Sequence, residues 1–169
     1  MKRVLALALV AILLLGGCGS KEENKKGGDS QPTAENNATG DITLGGVSLD
    51  IGGELTADML KKLGEPSEKT ESPDCMYDGA MYDYIYAGFS LQVNQQEDKN
   101  VLLKVIITDP AYKTDKGVQI GDTAGAVKQA YGEATEDTKY YIVYTVDDMD
   151  LIFNLESDAV SEIEYAAIL

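Results

Sequence analysis

The chain has 169 residues, with 14 Lys and Arg against 29 Asp and Glu, a formal net charge of −15, two Cys, and neither His nor Trp. Its length bounds it at one ordinary domain, and the missing His excludes an imidazole base, a His-activated nucleophile and any imidazole metal ligand. Its acidity opposes the counterion release that drives binding to phosphates, which excludes nucleic acid as a partner, and opposes adsorption to anionic lipid.

Met1-Lys2-Arg3 places positive charge ahead of a 12-residue apolar run, 4–15, that ends in Leu15-Gly16-Gly17-Cys18. This is the layout of a secretory signal over residues 1–17; a membrane-spanning helix needs about 20 apolar residues. The small residues before Cys18 and the abrupt polar switch after it resemble the lipobox of bacterial lipoproteins. That resemblance implies cleavage before Cys18, a diacylglyceryl group on its sulfur and attachment to the membrane. Two acyl chains, at about 0.8 kcal/mol per buried CH2, hold a protein there stably. Residues 18–40 then form the lipidated Cys and its tether. From 19 to 40 there is no large apolar residue, so the segment cannot offset its ordering entropy and is expected to be disordered, with a span of roughly 26 Å. Its Lys, Glu and Asn content resembles the tethers of Gram-positive lipoproteins, which places the domain on the extracytoplasmic face of a cell membrane. With Cys18 blocked, Cys75 is the remaining thiol, no intramolecular disulfide forms, and Cys75 reads as a small buried hydrophobe.

From 41 to 169 the composition is globular and the same punctuation occurs twice. Ile51-Gly52-Gly53-Glu54 leads into Thr56, Met59, Leu60 and Leu63 at helical spacing and stops at Gly64-Glu65-Pro66. Ile120-Gly121-Asp122-Thr123 leads into Ala124, Val127 and Tyr131 and stops at Gly132-Glu133-Ala134. Asp122 or Thr123 is the candidate N-cap of the second helix. After each helix the period becomes two: Tyr82, Tyr84 and Tyr86, then Phe89, Leu91 and Val93, then Val101 to Ile107. The second copy gives 140–146, 151–155 and 160–165, with Asp147-Asp148 as a turn. Ile42 to Leu44 and Val47 to Leu49 add a front hairpin. The expected fold is α+β: two tandem helix-plus-three-strand repeats, about 41–112 and 113–169, sharing one curved antiparallel sheet of about eight strands, with both helices on one face and the other face exposed.

The Ile-Gly lead, the Gly-Glu-Pro or Gly-Glu-Ala stop and the Tyr-rich meander are similar to the tandem repeat of β-lactamase inhibitory protein and of the small lipoprotein of the outer-membrane barrel assembly machinery. The stretches Ser72-Pro73-Asp74-Cys75-Met76-Tyr77-Asp78-Gly79 and Lys113 to Asp122 also resemble uncharacterised Gram-positive lipoproteins. The resemblance implies fold and location. It does not carry β-lactamase inhibition over, because that family's two disulfides need cysteines this chain lacks.

Ten tyrosines stand in the chain. If Tyr82, Tyr84 and Tyr86 face away from the helices, they form with Tyr141 a rigid amphipathic stripe of the kind enriched at interfaces, on the exposed sheet face. The function that follows is binding of an extracytoplasmic protein or peptide. The alternative is a small-molecule or Ca2+ scaffold built on Asp147, Asp148 and Asp150, although the full Asp-x-Asp-x-Asp-Gly loop is absent. No cofactor is implied, and no phosphate loop or marked carboxylate pair points to an enzyme.

Overall fold

The structure, a computed structural model, describes residues 38–73, 79–96 and 98–168, which belong to one compact unit. The signal segment 1–17, Cys18, the tether up to residue 37, Cys75 and Tyr77 lie outside the described residues. In chain order the elements are β1 (Ile42–Leu44), β2 (Val47–Leu49), α1 (Ala57–Leu63), β3 (Glu68–Pro73), β4 (Ala80–Tyr86), β5 (Phe89–Gln96) and β6 (Lys99–Ile107). There follow α2 (Ala124–Tyr131), β7 (Glu136–Asp137), β8 (Tyr141–Val146), β9 (Met149–Glu156) and β10 (Ala159–Ala167).

The strands β1 and β2 form a sheet of their own; the other eight form one antiparallel sheet in the order β3-β4-β5-β6-β10-β9-β8-β7. The α+β expectation of two helix-plus-three-strand repeats is therefore corrected to a mostly-β domain. The helices are only 7 and 8 residues long, four strands rather than three follow each of them, and the front hairpin stands apart from the main sheet. The extra strands are the two outermost. β3 reads Glu-Lys-Thr-Glu-Ser-Pro with all six side chains exposed, and β7 is two residues long, so neither carries the apolar alternation of a half-buried strand.

Thr56 and Thr123 cap the two helices, accepting hydrogen bonds from the backbone N–H of Met59 at 3.3 Å and of Ala126 at 3.2 Å. Thr56 is thus a cap and not a member of the apolar stripe, and Thr123 rather than Asp122 caps α2. Gly64 and Gly132 end the helices at φ +89° and +83°, where a Cβ would be strained. The Ile-Gly leads have a structural task of their own. β6 and β10 overlap over Lys104 to Ile107 only, which leaves the start of each strand without a strand partner on that side. Gly52 and Gly53 exchange backbone hydrogen bonds with Leu102, and Gly121 and Asp122 do so with Val160. Each lead thereby covers the uncovered half of a central strand before turning into its helix.

The register places Tyr84 opposite Leu91, Leu91 opposite Val105, Val105 opposite Tyr165, Tyr165 opposite Leu151 and Leu151 opposite Tyr144. These six side chains share one face of the sheet, and all are buried. Against this inner face lie α2, whose Tyr131 ring stands 5.2 Å from Tyr144 and 5.3 Å from Phe153, and the β1–β2 hairpin, which contributes Ile42, Leu44, Val47 and Leu49 to the core. Fully burying each such side chain stabilises by about 1.5–3 kcal/mol. The chain enters the core at Ala38. The Thr39 hydroxyl donates to Asp115 at 2.6 Å, and Asp115 also accepts from the Tyr131 hydroxyl at 2.7 Å, so residues 38–40 are packed with the domain that the sequence reading begins at 41.

Burial pushes the Tyr144 phenol up to about 12 and raises Tyr165 as well; it also raises Tyr131, with the Thr114 hydroxyl opposing and the Asp115 hydrogen bond adding to the rise. Below pH 10 these phenols are protonated whether the chain is folded or not. Above pH 10 the unfolded chain ionises them and the folded one does not, so stability falls with rising pH. Urea midpoints measured from pH 8 to 12 are expected to hold level to about pH 10 and then decline steeply.

Candidate functional site

The inner face is closed differently over its two halves. α2 buries Ala124, Val127 and Tyr131, and the Tyr144 hydroxyl donates to the carbonyl of the capping Gly132 at 3.2 Å, which seals the helix end onto the sheet. α1 buries no residue completely. Where its end meets β4, a cleft of roughly 390 Å³ opens, walled by Leu60, Pro66, Tyr84 and Tyr86, with Gly64 at its side and Lys61 and Glu65 at its rim.

Tyr82, Tyr84 and Tyr86 therefore face the helices, not the exposed sheet face, and the expectation of an outward stripe is corrected. Their partners across β5 are Val93, Leu91 and Phe89, each buried, and that pairing draws the tyrosines inward. Tyr84 and Tyr86 are 8% and 9% exposed. Tyr82 is half-buried further along the same face, its ring 6.4 Å from that of Tyr84. Lys69 lies over both, 4.1 Å and 4.9 Å from the ring centres. At the other end Tyr86 stacks on Phe89 at 4.6 Å. Its hydroxyl is buried and makes no hydrogen bond among the described residues. Burial raises the Tyr86 phenol above its ordinary range, with smaller contributions from Tyr84 and the Glu65 carboxylate.

The face away from the helices carries Asp83, Gln92, Lys104 and Asp150 in one cross-strand row and Ile85, Ser90, Ile106, Glu164, Ile152 and Val143 in the next. Its polar groups pair with one another: Gln92 with Asp83 at 3.1 Å, Lys104 with Glu164 at 2.7 Å, Thr145 with Asp150 at 2.7 Å and Asn154 with Glu162 at 3.0 Å. Tyr141 lies on this face and donates to Glu136 at 2.6 Å, a bond that holds its phenol above the usual range. The polar groups of this face are thus already satisfied, while Ile85, Ile106, Ile152 and Val143 form a half-buried apolar row beside them.

Asp147 and Asp148 are exposed at the β8–β9 turn, Asp147 at φ +50°, while Asp150 is occupied by Thr145. The three do not converge, and among the described residues no group of three Asp, Glu, Cys or His side chains is placed to hold a metal ion. A second depression of roughly 450 Å³, lined by Asp50, Gly52, Gly53, Asp148 and Ile168 among others, has no aromatic wall.

No protein-family model matches the chain, and no curated protein matches it. Among solved structures it is similar to the 1.5 Å crystal structure of an extracellular protein containing a SCP domain from Bacillus anthracis str. Ames. The TM-score is 0.49 with 15% sequence identity, over 69% of this chain and 44% of that one. The chain thus spans less than half the length of that protein, and a likeness this distant carries no function across.

The residues that complete the cleft, Leu60, Glu65 and Pro66, read in the sequence as a helix stripe and a stop signal; nothing local links them to tyrosines some twenty positions on. The contrast between the two halves gives a direct test. Tyr86→Phe removes a buried hydroxyl that no described group satisfies, and is expected to leave stability level or raise it by up to about 1 kcal/mol. Tyr131→Phe removes a hydrogen bond to a carboxylate and is expected to cost about 1.5–3 kcal/mol. Urea denaturation of the two variants beside the parent measures both.

Proposed function

We propose that this protein is a membrane-anchored extracytoplasmic lipoprotein that binds a segment of another protein in the cleft between α1 and β4. The observation that carries the binding reading is the aromatic cleft itself: two rigid tyrosine rings with Leu60 and Pro66 form a concave, largely apolar wall of the kind that peptide-recognition grooves use. On the opposite face the polar groups are paired with one another and the apolar row of Ile85, Ile106, Ile152 and Val143 lacks a concave wall, so the cleft is the better-shaped site. Location rests on the charged start, the 12-residue apolar run and the Leu-Gly-Gly-Cys lead. Among the described residues no helix is long and apolar enough to cross a membrane.

Two experiments test this reading. Cys18→Ser is expected to abolish metabolic palmitate labelling and to move the protein from the detergent phase to the aqueous phase; detergent partitioning that survives the change would remove the anchor. For binding, a photo-crosslinking amino acid at position 61, on the cleft rim, is expected to capture a discrete extracytoplasmic protein in intact cells, while the same group at position 129 on α2 captures none. Pro66→Gln should reduce the crosslink about tenfold and Ile106→Thr, on the opposite face, should leave it unchanged. Equal capture from positions 61 and 129, or loss with Ile106→Thr alone, would overturn the cleft as the site.

A further inference from the structure

The cleft combines two tyrosine rings with a carboxylate at its rim, and the domain around it is strongly acidic, with 25 acidic against 9 basic side chains from residue 41 onward. A ring face attracts a cation through its quadrupole, and the attraction grows as water is excluded. The molecule already uses this interaction three times, with Lys69 over Tyr82 and over Tyr84 and Lys139 over Tyr140 at 4.6 Å. Lys69 lies nearest Tyr82 and also reaches Tyr84, so of the three rings it leaves Tyr86 uncovered. At the Tyr86 end the rim carries Glu65 instead, beside the two most buried rings of the ladder.

Resting on the cleft reading above, we infer that the occupant of the cleft is a basic side chain, a Lys or Arg presented by the partner, lying against Tyr84 and Tyr86 with its charge on Glu65. The apolar stem of such a side chain matches Leu60 and Pro66, because Lys and Arg bury their methylenes while keeping the head polar. The negative field of the domain steers a basic segment to this site and speeds encounter at low salt. Two cations oppose it: Lys61, exposed on α1, and Lys69, 4.9 Å from the Tyr84 ring centre, so the incoming charge is directed to the Tyr86 and Glu65 end. The Tyr86 hydroxyl, buried and unbonded among the described residues, lies at the same end.

The test uses the chain from residue 18 onward carrying Cys18→Ser, with 13C-labelled tyrosine rings, titrated with N-acetyl-lysine methylamide, its uncharged analogue N-acetyl-norleucine methylamide, and N-acetyl-glutamate methylamide. The lysine probe is expected to shift the Tyr84 and Tyr86 ring signals with a saturable dependence, about fivefold tighter than norleucine, and glutamate is expected not to bind. Glu65→Gln should remove most of that preference and Lys61→Glu should increase it about threefold. Norleucine binding as tightly as lysine, or a lysine preference unchanged by Glu65→Gln, would overturn the cation inference while leaving the cleft as a protein-binding site. Shifts spread over the acidic surface that spare Tyr84 and Tyr86 would overturn it too. Loss of the position-61 crosslink specificity is a separate result and overturns the underlying reading instead.

Discussion

The pairing of β6 with β10 is the contact on which the rest of this domain depends. Every other neighbouring pair in the main sheet is consecutive in the chain, and each could form as a local hairpin; β6 and β10 are joined only after α2 and three strands have been laid down between them. The closure entropy of that long loop grows only with the logarithm of its length, and what closing it gains is one continuous apolar face in place of two half-sheets too small to bury their own surface. The seam is four residues wide. On its open side the Lys104–Glu164 pair at 2.7 Å crosses it, but the lysine is about one-third exposed, and such a pair contributes under about 1 kcal/mol. Val105 and Ile107 packed with Ile163 and Tyr165 on the inner side do more.

Covering that inner face leads to the asymmetry from which the site arises. Both helices are too short to be stable alone, so each holds its shape by what it packs against. α2 ends in Tyr131, a large ring that reaches Tyr144 and Phe153 and anchors to Asp115. α1 ends in Leu63, which packs toward the β1–β2 turn at Gly45 and does not line the cleft. With a smaller side chain turned away at its end, α1 leaves the Tyr84–Tyr86 wall open. The cleft is thus a consequence of how much side-chain volume each helix end brings to the sheet.

The same volumes explain what could be read from the amino-acid order and what could not. Ala124, Val127 and Tyr131 announce a helix because they are the buried stripe, and β4, β5, β8, β9 and β10 announce themselves because one face of each meets the core. β3 is silent because a strand exposed on both sides has no pattern to show. The direction of the tyrosines was the harder matter. Alternation in Met81 to Tyr86 is compatible with either face inward, since Met81 and Ile85 are apolar too. Only the pairing with Leu91 and Val93, opposed to Asp83 with Gln92, decides it, and that is a statement about register, which no single strand contains.

The exposed edge at β3 bears on how such molecules coexist. Its outer row of backbone groups would accept another strand, yet Glu68, Lys69 and Glu71 charge the edge and Pro73 withholds a donor at its end; the other edge, β7, is two residues long and offers almost no template. Proteins tethered to one bilayer leaflet, as proposed for this one, diffuse in two dimensions and meet one another far more often than the same number free in solution. An unguarded edge would turn those meetings into growing ribbons of sheet. On such a surface the charged and truncated rims would keep neighbouring copies separate, each with its cleft free.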